Sequence, residues 1–87
     1  MAAYRILIKS SAAKEIEAVD AKTQRRRIVT PIRALAQDPR ALGSDKLAGY
    51  ADRYRVRQGQ FRIIYLIDDS RSEVTIFRVA RRKHVYR

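Results

Sequence analysis

Two alternating stretches joined by a glycine-first, two-residue step constrain this chain more than any other feature. Tyr54-Arg55-Val56-Arg57-Gln58 and Phe61-Arg62-Ile63-Ile64-Tyr65 flank Gly59-Gln60. Such a step favours a type II′ turn, whose first central residue takes a positive φ that glycine adopts without steric cost. That turn sets the register: Gln58 pairs with Phe61, Arg57 with Arg62, Val56 with Ile63 and Arg55 with Ile64. Residues paired across two strands share a face of the sheet. Arg55, Arg57 and Arg62 therefore lie together, and Tyr54, Val56 and Ile63 lie on the opposite side. The apolar side, with Tyr65, suits a core, and the arginine side looks outward beside an apolar shelf of Ile64 and Leu66. Like charges directly opposite one another destabilise paired strands. Arg57 across from Arg62 thus lowers stability unless an anion, or a partner's carboxylate, sits between them. Facing outward, Arg62 is expected to open no core cavity when truncated.

The remaining elements follow from periodicity. Tyr4 to Ile8 alternates and reads as a strand. Ser10 or Ser11 suits an N-cap for a helix with Glu15 and Glu17 early in it and Ala12, Ile16 and Val19 on one face. Asp20 can cap a second helix in which Ala21, Ile28, Ile32 and Leu35 form a stripe opposite Lys22, Arg25, Arg26 and Arg33. Pro31 removes a helical hydrogen bond at a cost of ~3 kcal/mol, which predicts a kink or break near Val29. Asp38-Pro39 ends that helix. Residues 40–51, with Gly43, Ser44 and Gly49, read as an irregular crossing. Strands over Tyr54–Gln58, Phe61–Asp68 and Glu73–Ala80 complete the order β-α-α-β-β-β. The expected architecture is α+β, with two helices packed on one face of a four-stranded, mostly antiparallel sheet, in one domain spanning 1–87.

Composition narrows the function classes. At 87 residues the chain supports one modest core. Its 46% hydrophobic and 33% charged residues place it among globular rather than disordered sequences. The longest apolar run, Ile63 to Ile67, is far below the ~20 residues of a membrane span. The opening MAAYRILIKS alternates and is too short for a secretory signal, so an untargeted, cytoplasmic chain with no membrane partner is expected. With no cysteine there is neither a disulfide nor a thiolate zinc site. Asp68, Asp69 and Glu73 crowd one turn and read as loop solvation, so no metal and no cofactor is expected.

Charge points to partners. A net charge of +11 attracts polyanions. The candidates are nucleic acid, an anionic membrane and an acidic protein, against the plain alternative of a solvated basic surface. Arginine dominates, fifteen to five lysines, and its planar fork suits bidentate phosphate contact. The tail after the last strand adds Arg81, Arg82, Lys83, His84, Tyr86 and Arg87. Tyrosine among cations is the composition of RNA-contacting surfaces, and equally of a solvated basic end.

Four short motifs then occur in order. They are Lys46-Leu47-Ala48-Gly49, Tyr54-Arg55-Val56-Arg57, Gly59-Gln60-Phe61-Arg62-Ile63-Ile64-Tyr65 and Val79-Ala80-Arg81-Arg82-Lys83-His84-Val85-Tyr86-Arg87. Together with the element order and the Ser-Ala-Ala-Lys-Glu helix start, they resemble the RelE/ParE toxin superfamily, closest to its RelE branch. The resemblance implies a type II toxin held by a cognate RelB-like, acidic antitoxin. It also implies a ribosome-dependent endoribonuclease that cleaves mRNA in the ribosomal A site, beside 16S rRNA. It places the catalytic set on Arg55, Arg57, Arg62, Arg82 and Tyr86; beside it, Arg55, Arg57, Arg81, Lys83, Arg87 and Lys46 are read as RNA contacts. The ParE branch, which acts on DNA gyrase, shares the fold and the Gly59-to-Tyr65 motif, so Arg82 with Tyr86 is the discriminating pair. An inert relative that only binds its antitoxin is the remaining alternative. Ala80 stands where the family often has glycine, Arg81 where it often has histidine, and arginines where some relatives carry lysine.

Metal-free RNA cleavage uses the substrate's own 2′-hydroxyl and needs a base, an acid and cations around the phosphorane. Arg57 and Arg62 suit the phosphate, Arg82 the leaving oxygen, and Tyr86 a base stack or the 2′-hydroxyl. Arginine, with a pKa above ~12, cannot be the base. His84 is the one side chain with an ordinary pKa suited to that role, unless it is merely exposed and the ribosome supplies alignment instead, worth ~7 kcal/mol or more.

Overall fold

A computed structural model describes residues 3–19, 22–40, 44–47, 49 and 52–81. Its elements are β1 (Arg5–Ile8), α1 (Ser10–Glu17), α2 (Lys22–Ala34), β2 (Ser44–Lys46), β3 (Arg53–Gln58), β4 (Phe61–Asp68) and β5 (Glu73–Arg81). The sheet has five strands in the order β1-β5-β4-β3-β2. β1 runs parallel to β5, and the other pairings are antiparallel. The α+β class and the helices on one face agree with the expectation, whereas the strand count of four does not. β2 lies inside the stretch expected to be irregular. Its three residues, Ser-Asp-Lys, carry no β-branched or aromatic signal and are held as an edge by pairing with Tyr54 to Val56.

Core side chains come from both layers. Ile63, Tyr65 and Ile67 of β4 and Val74, Ile76 and Val79 of β5 pack against Ala12, Val19, Ile28, Ile32 and Leu35 from the helical segments. The helical stripe of Ile28 and Ile32 meets the alternating inward positions of the strands, as their two periods demand.

α2 runs without a break through Pro31, contrary to the expected interruption at Val29. The Leu35 amide still bonds the Pro31 carbonyl at 3.3 Å, and the Thr30 hydroxyl donates to the Arg26 carbonyl at 2.9 Å. Proline costs ~3 kcal/mol in a helix. Burying Ile28 and Ile32 is worth ~1.5–3 kcal/mol each, which outweighs it. The expected serine caps are also absent. Lys9, extended at ψ 144°, is the cap residue and makes no side-chain cap bond, because Ser10 and Ser11 already lie inside the helix. The expected cap Asp20 lies outside the described residues.

α1 has a second task at the edge of β5. β1 pairs with β5 only as far as Ile8 opposite Ile76. Beyond that point the Val79 amide donates to Glu15 Oε1 at 2.9 Å, and Arg78 Nε lies 3.5 Å from Glu15 Oε2. One carboxylate from the helix thus continues an edge that the strand leaves open.

At the far end of the sheet, a polar cluster ties the α2–β2 connection to the β4–β5 turn. The Tyr65 hydroxyl donates to the Pro39 carbonyl at 2.8 Å, and its ring stacks on Tyr54 with centroids 5.9 Å apart. Arg40 forks onto Asp69 at 3.1 and 2.7 Å, and the Tyr4 hydroxyl donates to the same carboxylate at 2.6 Å. Arg40 and then Tyr4 hold the Asp69 carboxyl below its ordinary pKa. Asp68 pairs with Arg71 and Glu73 with Arg5. These acids were expected only to solvate the loop. Their structural partners, Arg40 and Arg5, lie too far off in sequence for that role to show.

Candidate nucleic-acid interface

The hairpin register is the expected one. Gln58 faces Phe61, Arg57 faces Arg62, Val56 faces Ile63 and Arg55 faces Ile64. Gly59 takes φ +59°, as a primed two-residue turn requires. Arg53, Arg55, Arg57 and Arg62 consequently share the sheet face opposite the helices, in two adjacent strands. From Arg53 to Ile67 the sequence contains no carboxylate.

The four arginines do not occupy equivalent environments. Arg57 is exposed. Arg55 is half-buried and meets Asp45 of β2 at 3.6 Å, its register partner. Arg53 reaches across β4 to place its guanidinium carbon 5.0 Å from the Phe77 ring centroid. Arg62 lies on the expected outer face but departs from the expectation that its truncation opens no cavity. It is only 7% exposed, and its guanidinium folds back to donate to the Phe61 carbonyl at 3.2 Å. Neighbouring strands on both sides, with Arg57 and Ala80 in register, enclose it. Its truncation leaves a void in the outer face, so a loss of packing accompanies the loss of charge at this position.

Phe77 reaches that face through a β-bulge. Tyr65 pairs with Ile76 and Ile64 with Arg78, which leaves Phe77 as the extra residue. Its ring carries the Lys9 ammonium at 5.3 Å as well as the Arg53 guanidinium. Arg53 was missed although it continues the alternation of Arg55 and Arg57. Phe77 was missed because a bulge breaks the period of two; the only sequence trace is the step of three from Ile76 to Val79.

Two expected RNA contacts lie elsewhere. Lys46 pairs with Tyr54, which puts it on the helix-side face at the sheet edge. Arg81 pairs with Phe61, also on the helix side, with its guanidinium 5.8 Å from that ring. Arg82, Lys83, His84, Tyr86 and Arg87 lie outside the described residues. Among the described residues no cluster of metal-ligating side chains occurs, and no helix is long and apolar enough to cross a membrane. The face can hold an anion against Arg57 and Arg62 with an apolar floor of Ile64 beside it, the combination used for a phosphate and its base.

Known proteins share both sequence and architecture with this chain. The family model described as the ParE toxin of the type II toxin-antitoxin system, parDE, matches residues 6–86. The toxin RelE of Mycobacterium tuberculosis is 27% identical over 84 residues, covering 97% of this chain and 87% of the relative. The archaeal RelE–RelB complex from Pyrococcus horikoshii OT3 superimposes with a TM-score of 0.80 at 25% identity, over 95% of this chain and 99% of that one. The intact E. coli RelBE toxin-antitoxin complex gives 0.79 at 25% identity, over 91% and 96%.

Proposed function

This chain belongs to the RelE/ParE superfamily of type II toxins, and we propose that within it the protein is a RelE-type, ribosome-dependent mRNA endoribonuclease. The carrying observation is the outer sheet face, where Arg57 stands directly opposite Arg62 in a stretch free of carboxylates. Arg57 is exposed and Arg62 stands beside it in register, so a phosphodiester laid on this face meets two guanidiniums. The RelE relatives support this branch.

In the proposed reaction the substrate's 2′-hydroxyl loses its proton and attacks the adjacent phosphorus, while the bond from phosphorus to the 5′-oxygen breaks. The products are a 2′,3′-cyclic phosphate and a 5′-hydroxyl. Arg57 and Arg62 neutralise the charge that develops on the equatorial oxygens. Arg55 holds the neighbouring phosphate. Arg82 protonates the leaving oxygen, and Tyr86 stacks on a base or orients the 2′-hydroxyl. His84 or alignment by the ribosome supplies the base function. Arg81, Lys83, Arg87 and Lys46 add longer-range attraction to mRNA and 16S rRNA. An acidic RelB-like antitoxin neutralises the +11 toxin in the cytoplasm; the Pyrococcus horikoshii and E. coli relatives cited above are solved as RelE–RelB and RelBE complexes.

The test is cleavage of mRNA on programmed ribosomes. Arg57→Ala, whose side chain is exposed, should lower the rate ~100-fold or more while the protein remains folded by circular dichroism. Arg62→Lys keeps charge and bulk but loses the fork, and should also impair cleavage. His84→Ala separates the two base assignments: a several-hundredfold loss assigns His84, and an unchanged rate assigns the ribosome. If the wild-type protein never cuts ribosome-bound mRNA, the reading fails. The ParE description of the matched family then favours a gyrase inhibitor, read out by DNA supercoiling.

A further inference from the structure

The turn of the hairpin closes over a cleft of about 240 Å³ on the helix side of the sheet. Its chemistry comes from Gln24 and Arg27 of α2, Gln58, Gln60 and Phe61 of the hairpin, and Arg81 at the end of β5. No lining residue is acidic. We propose that this cleft is a nucleobase pocket, which receives one base of the RNA whose phosphate lies on Arg57 and Arg62. This rests on the ribonuclease reading and extends it to base selection.

Size and composition carry the assignment. The volume falls below the ~300–1,000 Å³ of sites for drug-sized molecules, which fits a single ring system rather than a helix. Phe61 supplies an aromatic face, and the guanidinium of Arg81 lies over that face at 5.8 Å. Nucleobases stack on such rings and on guanidinium planes. Three glutamines line the same space, and each carboxamide offers donors and an acceptor together. That mixture matches the edges of bases, which also present both kinds of group. An acidic peptide would use the donors of this lining but not its acceptors, and a hydrophobic one would use neither.

Topology explains the connection to the outer face. The Gln58–Phe61 pair adjoins the Arg57–Arg62 pair along the hairpin and projects to the other side. One residue step along a strand is ~3.3 Å, and the loop between is only Gly59-Gln60. A nucleotide strand held on the arginines therefore reaches the cleft by turning around the hairpin tip, without crossing any other element. Arg27 and Arg81 at the rim are placed for the next phosphate.

The experiment uses the full-length chain labelled with nitrogen-15 and follows the side-chain amide signals of Gln24, Gln58 and Gln60. Each of the four ribonucleoside 5′-monophosphates is titrated in turn, and cleavage sites on programmed ribosomes are mapped in parallel. One nucleotide should move these signals and bind about tenfold more tightly than the others. Gln24 is exposed on α2, so Gln24→Leu should fold, abolish that preference and redistribute cleavage among codons. Arg27→Ala should weaken all four nucleotides alike. If no nucleotide moves the amide signals and Gln24→Leu cuts mRNA in the wild-type pattern, the pocket is overturned while the nuclease stands. If nucleotides bind as described but mRNA is never cut, the pocket stands and the nuclease falls. Should an acidic antitoxin peptide move the signals where nucleotides do not, the cleft is a protein-docking site and the inference fails.

Discussion

The two ends of the β3–β4 hairpin use arginine in opposite ways. Towards the open end, carboxylates meet the guanidiniums: Arg40 grips Asp69, Arg71 reaches Asp68, and Arg5 holds Glu73. Towards the turn, Arg57 and Arg62 face one another in a stretch without an acid. The first arrangement is self-sufficient, since it folds the α2–β2 connection and the β4–β5 turn onto one another. The second sets two arginines side by side in the sheet, the arrangement that the proposed reading gives to a phosphate. Charge in this small protein thus serves architecture at one end and, on the proposed reading, recognition at the other.

The largest expected effect tests the architectural end. Tyr65 is fully buried, and Tyr65→Phe removes the donor to the Pro39 carbonyl. The change should destabilise the protein by ~1–3 kcal/mol in urea unfolding. An unchanged midpoint would show that the connection does not depend on this bond. Arg40→Ala comes next, at ~0.5–1 kcal/mol, because its pair with Asp69 is surface-exposed and its stacking on Tyr54 is lost with it. Arg57→Ala should instead leave stability unchanged or raise it by ~0.5 kcal/mol, through relief of the repulsion with Arg62. If Arg57→Ala destabilises more than Arg40→Ala, the division of labour between the ends is wrong.

The smallest effect concerns pH. Arg40 and Tyr4 depress the folded-state pKa of Asp69. A depressed carboxyl contributes stability above its unfolded value, near 4, and loses it as pH falls through the folded value. Acid unfolding of the wild type should therefore show a loss in that range. Asp69→Asn should flatten it and make the protein less stable at neutral pH.

How much of this was legible depended on whether short-range rules governed each region. The hairpin was readable to the residue, because Gly59 at a two-residue turn leaves one register and the alternation does the rest. The arginine face followed from it. β2 was not legible, since Ser44, Asp45 and Lys46 become a strand only by lying beside β3. The unbroken α2 was missed because the burial of Ile28 and Ile32, a tertiary effect, outweighs the local penalty of Pro31. The same limit applies at the site. Register placed Arg62 on the correct face, but only the neighbouring strands determine that it is enclosed there. Arg81 and Lys46 were grouped with the other cations by sequence proximity and motif, and strand pairing puts both on the opposite side of the sheet.

The bulge at Phe77 acts as a phase shifter. Along β5, Val74 and Ile76 point into the core, and strict alternation would send residue 78 inward and residue 79 out to solvent. One additional residue advances the pattern by half a period, so Arg78 emerges and Val79 is buried at 2% exposure. Deleting Phe77 would therefore do more than shorten the strand. It would take away the ring that carries the Lys9 and Arg53 cations, while Arg78 and Val79, then in strict alternation with Ile76, keep their outward and inward places.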